Sequence, residues 1–291
     1  MAKQPLGEVF GFPADNLSAA ADRHRQHRLC PFNNVVPNCT KDKARDPLGV
    51  CSVIDDDGKI AITCPIRLKQ DWIIATDAAN FFFPKSKWTT LTEVRLKDRY
   101  GKSAGNIDVV VVAYDEAGKI ADFGALEIQA VYISGNVRNP FRRYMTDPHA
   151  HRAMDWSQED NPPHPDYLSS SRKRLAPQLI YKGGILRVWN KKLAVALHRG
   201  FFDTLPVLKE VPRSRAEIAW MVYDLALDRR QNQYRLKGFK TAYTTLEQSL
   251  NQITRSDAGD VSDFVEHLQN KLDEKLENPP DTRTLDLDEI G

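Results

Sequence analysis

The sequence predicts an α/β fold, a mixed sheet flanked by helices, preceded by a small subdomain that binds a metal through four cysteines. Three observations predict it. Residues 106–133, NIDVVVVAYDEAGKIADFGALEIQAVYI, read as strand, turn and strand. All four cysteines of the 291-residue chain lie between positions 30 and 64. The order helix, hairpin, helix, strand in the middle of the chain is that of an α/β core.

Each element has a local reason. Residues 1–27 read as a peripheral arm with a short helix over 17–27, and residues 28–68 as a loop-rich segment holding Cys30, Cys39, Cys51 and Cys64. A helix is expected over 88–99, because Thr90 and Glu93 have capping-box spacing and Gly101 follows. The hairpin turns at Asp115-Glu116-Ala117-Gly118-Lys119, between runs rich in Val, Ile and aromatic residues. Its first strand is apolar on both faces, which places it centrally in a sheet covered on both sides. Residues 134–170, rich in Pro, His, Asn and Arg, read as a long loop region. A second helix is expected over 175–199, broken at Gly183-Gly184, and a third strand over 216–227. Residues 229–240 are basic and aromatic. An amphipathic helix over 262–276 carries Phe264, Val265, Leu268, Leu272 and Leu276 on one face, as a dimer interface or against its own core. The last dozen residues read as disordered. The resulting division is an arm (1–27), a four-cysteine metal-binding subdomain (28–68), a core with recognition loops (69–255) and an acidic helix and tail (256–291).

The net charge of +2 conceals an asymmetry. Residues 256–291 carry eleven acidic and three basic side chains, a balance of −8, which leaves +10 on residues 1–255. Such a body suits a polyanionic partner. No apolar run approaches the length of a membrane span, and the N-terminus lacks the apolar core of a signal peptide. A cytoplasmic location is expected.

The cysteine intervals are C-x8-C-x11-C-x12-C. Disulfides are disfavoured in an intracellular chain, and unrelated buried thiols would not be gathered into one segment. A tetrahedral thiolate site, for zinc or iron alike, is expected, and its role is structural because a closed four-sulfur shell leaves no position for substrate. In the hairpin, a turn centred on Ala117-Gly118 sets Asp108 directly across from Glu127, and Glu127 and Gln129 share its face. Opposed carboxylates destabilise a ribbon, more so among flanking valines, and a divalent cation would remove the conflict. Asp followed by Glu-x-amide on the next strand is also the layout of Mg²⁺-dependent phosphodiester cleavage. The alternative reading has Asp108 capping a strand and Glu127 pairing with a basic neighbour. For Glu93, a capping role is the alternative to a catalytic one.

Taken together, CPFNN…PNC…GVC…ITCPIRL, the segment containing Glu93 and NIDVVVV…GALEIQAVY resemble the NotI-type restriction endonucleases, a branch of the PD-(D/E)xK nuclease superfamily, over residues 28–227. The resemblance implies a PD-(D/E)xK restriction-endonuclease-like core and a homodimer cutting a short GC-rich palindrome in double-stranded DNA. It also implies a four-cysteine iron or zinc site beside the core, and Mg²⁺ for cleavage. Gln129, where the superfamily usually has Lys, agrees with this branch. Asp108 and Glu127 would then hold Mg²⁺, with Gln129 orienting water and Glu93 supplying a further carboxylate. Arg138, Arg142 and Arg143, with Arg172, Lys173 and Arg174, are placed to contact DNA, aided by phosphate donors at Ser169–Ser171. Lys182, Lys191 and Lys192 are expected on a solvated helix face. The rival readings are a non-catalytic, metal-organised DNA-binding protein and a repair-type nuclease on the same core.

Overall fold

Turn chemistry sets much of the strand pairing. The computed structural model describes residues 3–43, 45–256 and 258–277. Three turns carry the pattern Asp-x-x-Gly-Lys, at 55–59, 98–102 and 115–119. In each, the Asp carboxylate accepts the backbone N–H groups two and four residues on, at 2.8–3.0 Å. Their glycines take φ between +74° and +77°, which a side chain would disfavour.

The N-terminal sheet has the order β2-β1-β5-β6. It comprises β1 (Leu6–Val9), β2 (Phe12–Pro13), β5 (Val50–Ile54) and β6 (Ile60–Ile62). A two-stranded ribbon of β3 (Asp42–Lys43) and β4 (Asp46–Pro47) sits beside it in sequence. Of the stretch 1–27 expected as a peripheral arm, the described residues 3–27 are not one: β1 is wholly buried and pairs with β5, and only the helix Ala19–Gln26 matches the expectation. The short run Leu6–Val9 is strand because it completes an apolar layer of Leu6, Val9, Val50, Val53 and Ala61.

Within that layer Glu8 and Arg67 form a fully buried ion pair, Nε lying 2.9 and 3.0 Å from the carboxylate oxygens. Ser52 Oγ donates to Glu8 at 2.9 Å, and Arg67 donates to Gln70 Oε1 at 2.8 Å and to the Tyr234 carbonyl at 3.0 Å. Burial pushes the Glu8 carboxyl above its ordinary range, and Arg67 opposes that shift.

The main sheet has six strands in the order β14-β13-β12-β9-β8-β7. They are β7 (Trp88–Lys97), β8 (Ser103–Tyr114), β9 (Ile120–Gln129), β12 (Leu193–His198), β13 (Ile218–Asp228) and β14 (Gln233–Thr244). Strand β12 runs parallel to both β9 and β13, and the other pairs are antiparallel, so the sheet is mixed. One face packs Val109, Val111, Leu126, Ile128 and Met221 against the helix Ile73–Phe82. The other packs Val110, Val112, Ala125, Val195 and Trp220 against Leu175, Leu179 and Leu186 of a long helical segment and Leu246 of the helix Leu246–Ile253. Gly124 permits the first contact: a Cβ there would lie 2.5 Å from the Phe82 ring. A minor pair, β10 (Tyr132–Ser134) with β11 (His164–Asp166), follows the hairpin.

Further expectations are corrected. The stretch expected as helix over 88–99 is the strand Trp88–Lys97 running into a turn: Trp88, the threonines and Val94 suit a pleated ribbon, and pairing with β8 along its length outweighs the capping-box spacing. Residues 193–198 are strand rather than helix end, because the buried run LAVALH fits between two parallel neighbours. The helix before it spans 167–188 without breaking at Gly183-Gly184, and contains π turns at Ser170–Leu175 and Leu179–Gly183. The loop region 134–170 holds the helix Arg138–Thr146. The third strand lies where expected, at Ile218–Asp228.

The chain divides into two compact units, 1–254 and 255 onward. Within the second, the helix Val261–Glu277 has no buried residue, and Phe264, Val265, Leu268, Leu272 and Leu276 are exposed. The disorder expected for the last dozen residues lies outside the described residues. Among the described residues, no helix is long and apolar enough to cross a membrane.

Arg67→Ala leaves Glu8 buried without its partner, and such breaks destabilise by about 3–5 kcal/mol. Urea unfolding should show a loss of that size; a loss below about 1 kcal/mol, the range of exposed pairs, would contradict the assigned role.

Candidate active site

The β8–β9 ribbon has the register expected of a turn centred on Ala117-Gly118, with Val109 across from Leu126, Val110 from Ala125 and Val111 from Gly124. The ladder stops at Val109 and Leu126, so Asp108 and Glu127 stand at the next step, where the strands begin to part. Alternation from Val110 and Ala125 turns Asp108, Glu127 and Gln129 to the face covered by the helical segment 167–188.

Each of these side chains is held. Asp108 Oδ2 accepts the Ile128 backbone N–H at 2.8 Å, which fixes its carboxylate against β9. Glu127 is 2% exposed, and both its oxygens accept from Lys182 Nζ, at 2.9 and 2.8 Å. Gln129 is fully buried; its Nε2 donates to Gln178 Oε1, while its own Oε1 has no partner. Burial, followed by the negative charge of Asp108, pushes the Glu127 carboxyl up to about 8, against the opposing pull of Lys182. The pair is a place where a cation would be bound in exchange for a proton, and the orphaned Gln129 oxygen offers an acceptor to a water beside it.

Glu93 belongs to β7 rather than to a helix. The pairs Thr92–Val109 and Val94–Ile107 bracket it, so it lies across from Asp108. It is exposed and has φ of +54°, a left-handed conformation that costs a non-glycine residue roughly 1–2 kcal/mol. Glu93 is thus placed opposite Asp108 by strand register, at a strained position.

Of the basic residues singled out for DNA, Arg138 is held by Asp42 and Asp46, and Arg143 lies 3.9 Å from Glu159 and over the Trp156 ring. Arg142, Arg172 and Lys173 are exposed, and Arg174 is half-buried. The serines do not present a row of phosphate donors: Ser170 is buried, accepting from Tyr132 N at 2.8 Å and donating to the Asp166 carbonyl at 2.6 Å. Lys182 is not on a solvated face; it is 5% exposed and paired with Glu127.

Strand directions add basic groups that the sequence pattern did not single out as a site. The β7–β8 and β13–β14 turns both lie at the end of the sheet where β9 and β12 finish. The first ribbon exposes Arg95, Lys97, Arg99 and Lys102 there, and the second exposes Arg229, Arg230 and Lys237. Glu127 and Gln129 are therefore flanked by positive charge on both edges of the sheet.

All four cysteines are free and line one small cavity of about 10 Å³, room for a single water-sized occupant, together with Lys41 and Arg67. Burial raises the Cys30 thiol to about 11 and raises Cys51 well above its ordinary value, with the neighbouring cysteines adding to both shifts. Among the described residues, however, no three or more acidic, histidine or cysteine side chains are gathered closely enough to form a metal shell.

The raised Glu127 carboxyl has a measurable consequence. The folded protein holds that proton more tightly than the unfolded chain, so the stability it contributes is complete below pH 4.5 and is lost as pH rises through about 8. Without divalent ions, the urea midpoint should fall across that window, and Glu127→Gln should flatten the fall. An identical slope in the variant would assign the dependence to another group.

Comparison with known families returned a match to restriction endonuclease NotI over residues 15–236, well over half of the chain. Comparison with curated protein sequences returned no match. The matched span takes in the cysteine segment, the paired carboxylates, the β7–β8 ribbon and the β13–β14 turn. The chain belongs to the NotI restriction endonuclease family and is a type II restriction deoxyribonuclease.

Proposed function

We propose that the protein cleaves a short GC-rich palindrome in double-stranded DNA as a homodimer, with Mg²⁺ held by Asp108 and Glu127, leaving 5′-phosphate and 3′-hydroxyl ends. The observation that carries this reading is the buried Glu127 carboxylate beside Asp108, at the step where β8 and β9 part. Two hard oxygen donors suit Mg²⁺, which when bound supplies polarisation of a phosphate oxygen and a more acidic water. The chain's own groups do the positioning. The Ile128 N–H holds Asp108, the free Gln129 oxygen accepts from the attacking water, and Glu93, strained and opposite Asp108, adds a carboxylate facing solvent. Attack on phosphorus breaks the bond to the 3′ oxygen, which leaves as the hydroxyl.

Arg142, Arg172, Lys173 and Arg174, with the basic ribbons of β7–β8 and β13–β14, are proposed to contact the duplex. Arginine donates two hydrogen bonds to guanine O6 and N7, which suits a GC-rich site. A palindrome calls for a two-fold dimer, and the exposed apolar stripe of Val261–Glu277 is one surface available for it. The residues lining the cysteine cavity are proposed to hold iron or zinc in a structural role: four free thiols lining one small cavity are a fitting donor set for a soft cation.

Glu127→Ala should retain specific DNA binding, measured by mobility shift without Mg²⁺, while plasmid and genomic DNA remain uncut. Retained cutting would sink the assignment of the site. Discrete fragments from the unaltered protein, whose sequenced ends report site and overhang together, support the endonuclease reading over a metal-organised binding protein, and a ladder without a fixed site points to a repair-type nuclease. For the cysteine segment, chelation of the purified protein should lower the melting temperature more than it alters the single-turnover cleavage rate at a temperature where the protein stays folded. Metal analysis that finds neither iron nor zinc would remove that part of the proposal.

A further inference from the structure

The helical segment 167–188 pairs side chains with β9. Gln178 and Lys182 are four residues apart, close to one turn of the segment. Gln129 and Glu127 are two apart, on one face of the strand. One face of the segment addresses one face of the strand, Gln178 on Gln129 and Lys182 on Glu127. Irregular winding accompanies this pairing. Pro177 lacks a backbone donor, and π turns at Ser170–Leu175 and Leu179–Gly183 flank it. On β8, Gly105 lies against the lysine, where a Cβ would make an ordinary 3.4 Å contact with Lys182 Cε, and its φ of +98° is what favours glycine there.

Lysine is among the residues least often buried, and it stays buried only when paired. The Lys182 and Glu127 side chains are 7% and 2% exposed, and both carboxylate oxygens face the same ammonium. Solvated lysines on a helix face do not behave this way. We propose that Lys182 is a positioning residue of the cleavage site, orienting the Glu127 carboxylate and balancing the charge of Asp108 and Glu127 until a divalent cation enters. This rests on the nuclease reading of the same pair.

The role separates two quantities that a merely structural lysine would move together. Removing the ammonium removes a charge that competes with the incoming cation, so Mg²⁺ binds at lower concentration. The same change frees the carboxylate to rotate, so turnover falls, by about 10–100-fold as for other residues that orient a metal ligand. The test uses Lys182→Met and, should that variant not fold, Lys182→Gln, which keeps a hydrogen-bond donor without the charge. Mg²⁺ is titrated into each purified full-length variant by calorimetry, and turnover is measured on a plasmid that the unaltered protein cuts. Tighter Mg²⁺ binding with slower turnover is the expected result. Unchanged turnover, or weaker Mg²⁺ binding, overturns the role of Lys182. Failure of the nuclease reading has a different signature, since Glu127→Ala would then still cut, or the unaltered protein would cut nothing, while calorimetry still reads the lysine.

Discussion

A carboxylate taken out of water must be met by positive charge or hold a proton, and Glu127 is such a carboxylate. It stands in a layer of Val110, Val112, Ala125 and Val195, next to the acid of Asp108. The architecture around it follows from that constraint. Lys182 meets it from the helix, the Ile128 N–H steadies its neighbour, and burial raises its affinity for a proton. Burial strengthens every electrostatic interaction at the site, including the attraction for a divalent cation. The same burial that makes the pair unfavourable when alone makes it a strong site when matched.

Topology sets the paired acids among basic groups. Strands β9 and β12 end together while the ribbons on both edges of the sheet continue past them, so the paired acids lie between two basic projections. A negative pair alone would repel a phosphate backbone, and the exposed arginines and lysines of the two ribbons oppose that repulsion. Under the proposed reading, affinity for DNA and chemistry on it fall to different residues of one surface.

The N-terminal sheet is bound to this core by buried polar contacts rather than by apolar packing alone. Arg67 joins Glu8 of β1 to the Tyr234 carbonyl on β14, and Gln70 Oε1 accepts from both Arg67 and the Leu236 backbone N–H. Asn16 donates to the carbonyls of Gln231 and Asn232 at the β13–β14 turn. The segment bearing the cysteines is thus mechanically coupled to one of the two basic ribbons. Breaking a buried pair of this kind leaves a charge without solvent or partner, which ties the position of the ribbon to the integrity of the N-terminal sheet.

Local chemistry made some of this legible in the sequence by itself. Turn residues and alternation were enough to set the β8–β9 register, because Asp-x-x-Gly-Lys closes a hairpin through contacts within five residues. Asp108, Glu127 and Gln129 could be put on one face for the same reason. The repeated pattern at 98–102 was an available sign that 88–99 is a strand, masked by the spacing of Thr90 and Glu93. Tertiary structure alone decided the rest. Residues 193–198 are strand because two parallel neighbours bury them on both sides, and an apolar run of that length carries no period to say so. Lys182 reads as a surface lysine until the helix is laid on β9, since its partner lies 55 positions away and a pairing at that distance leaves no periodic mark on the chain.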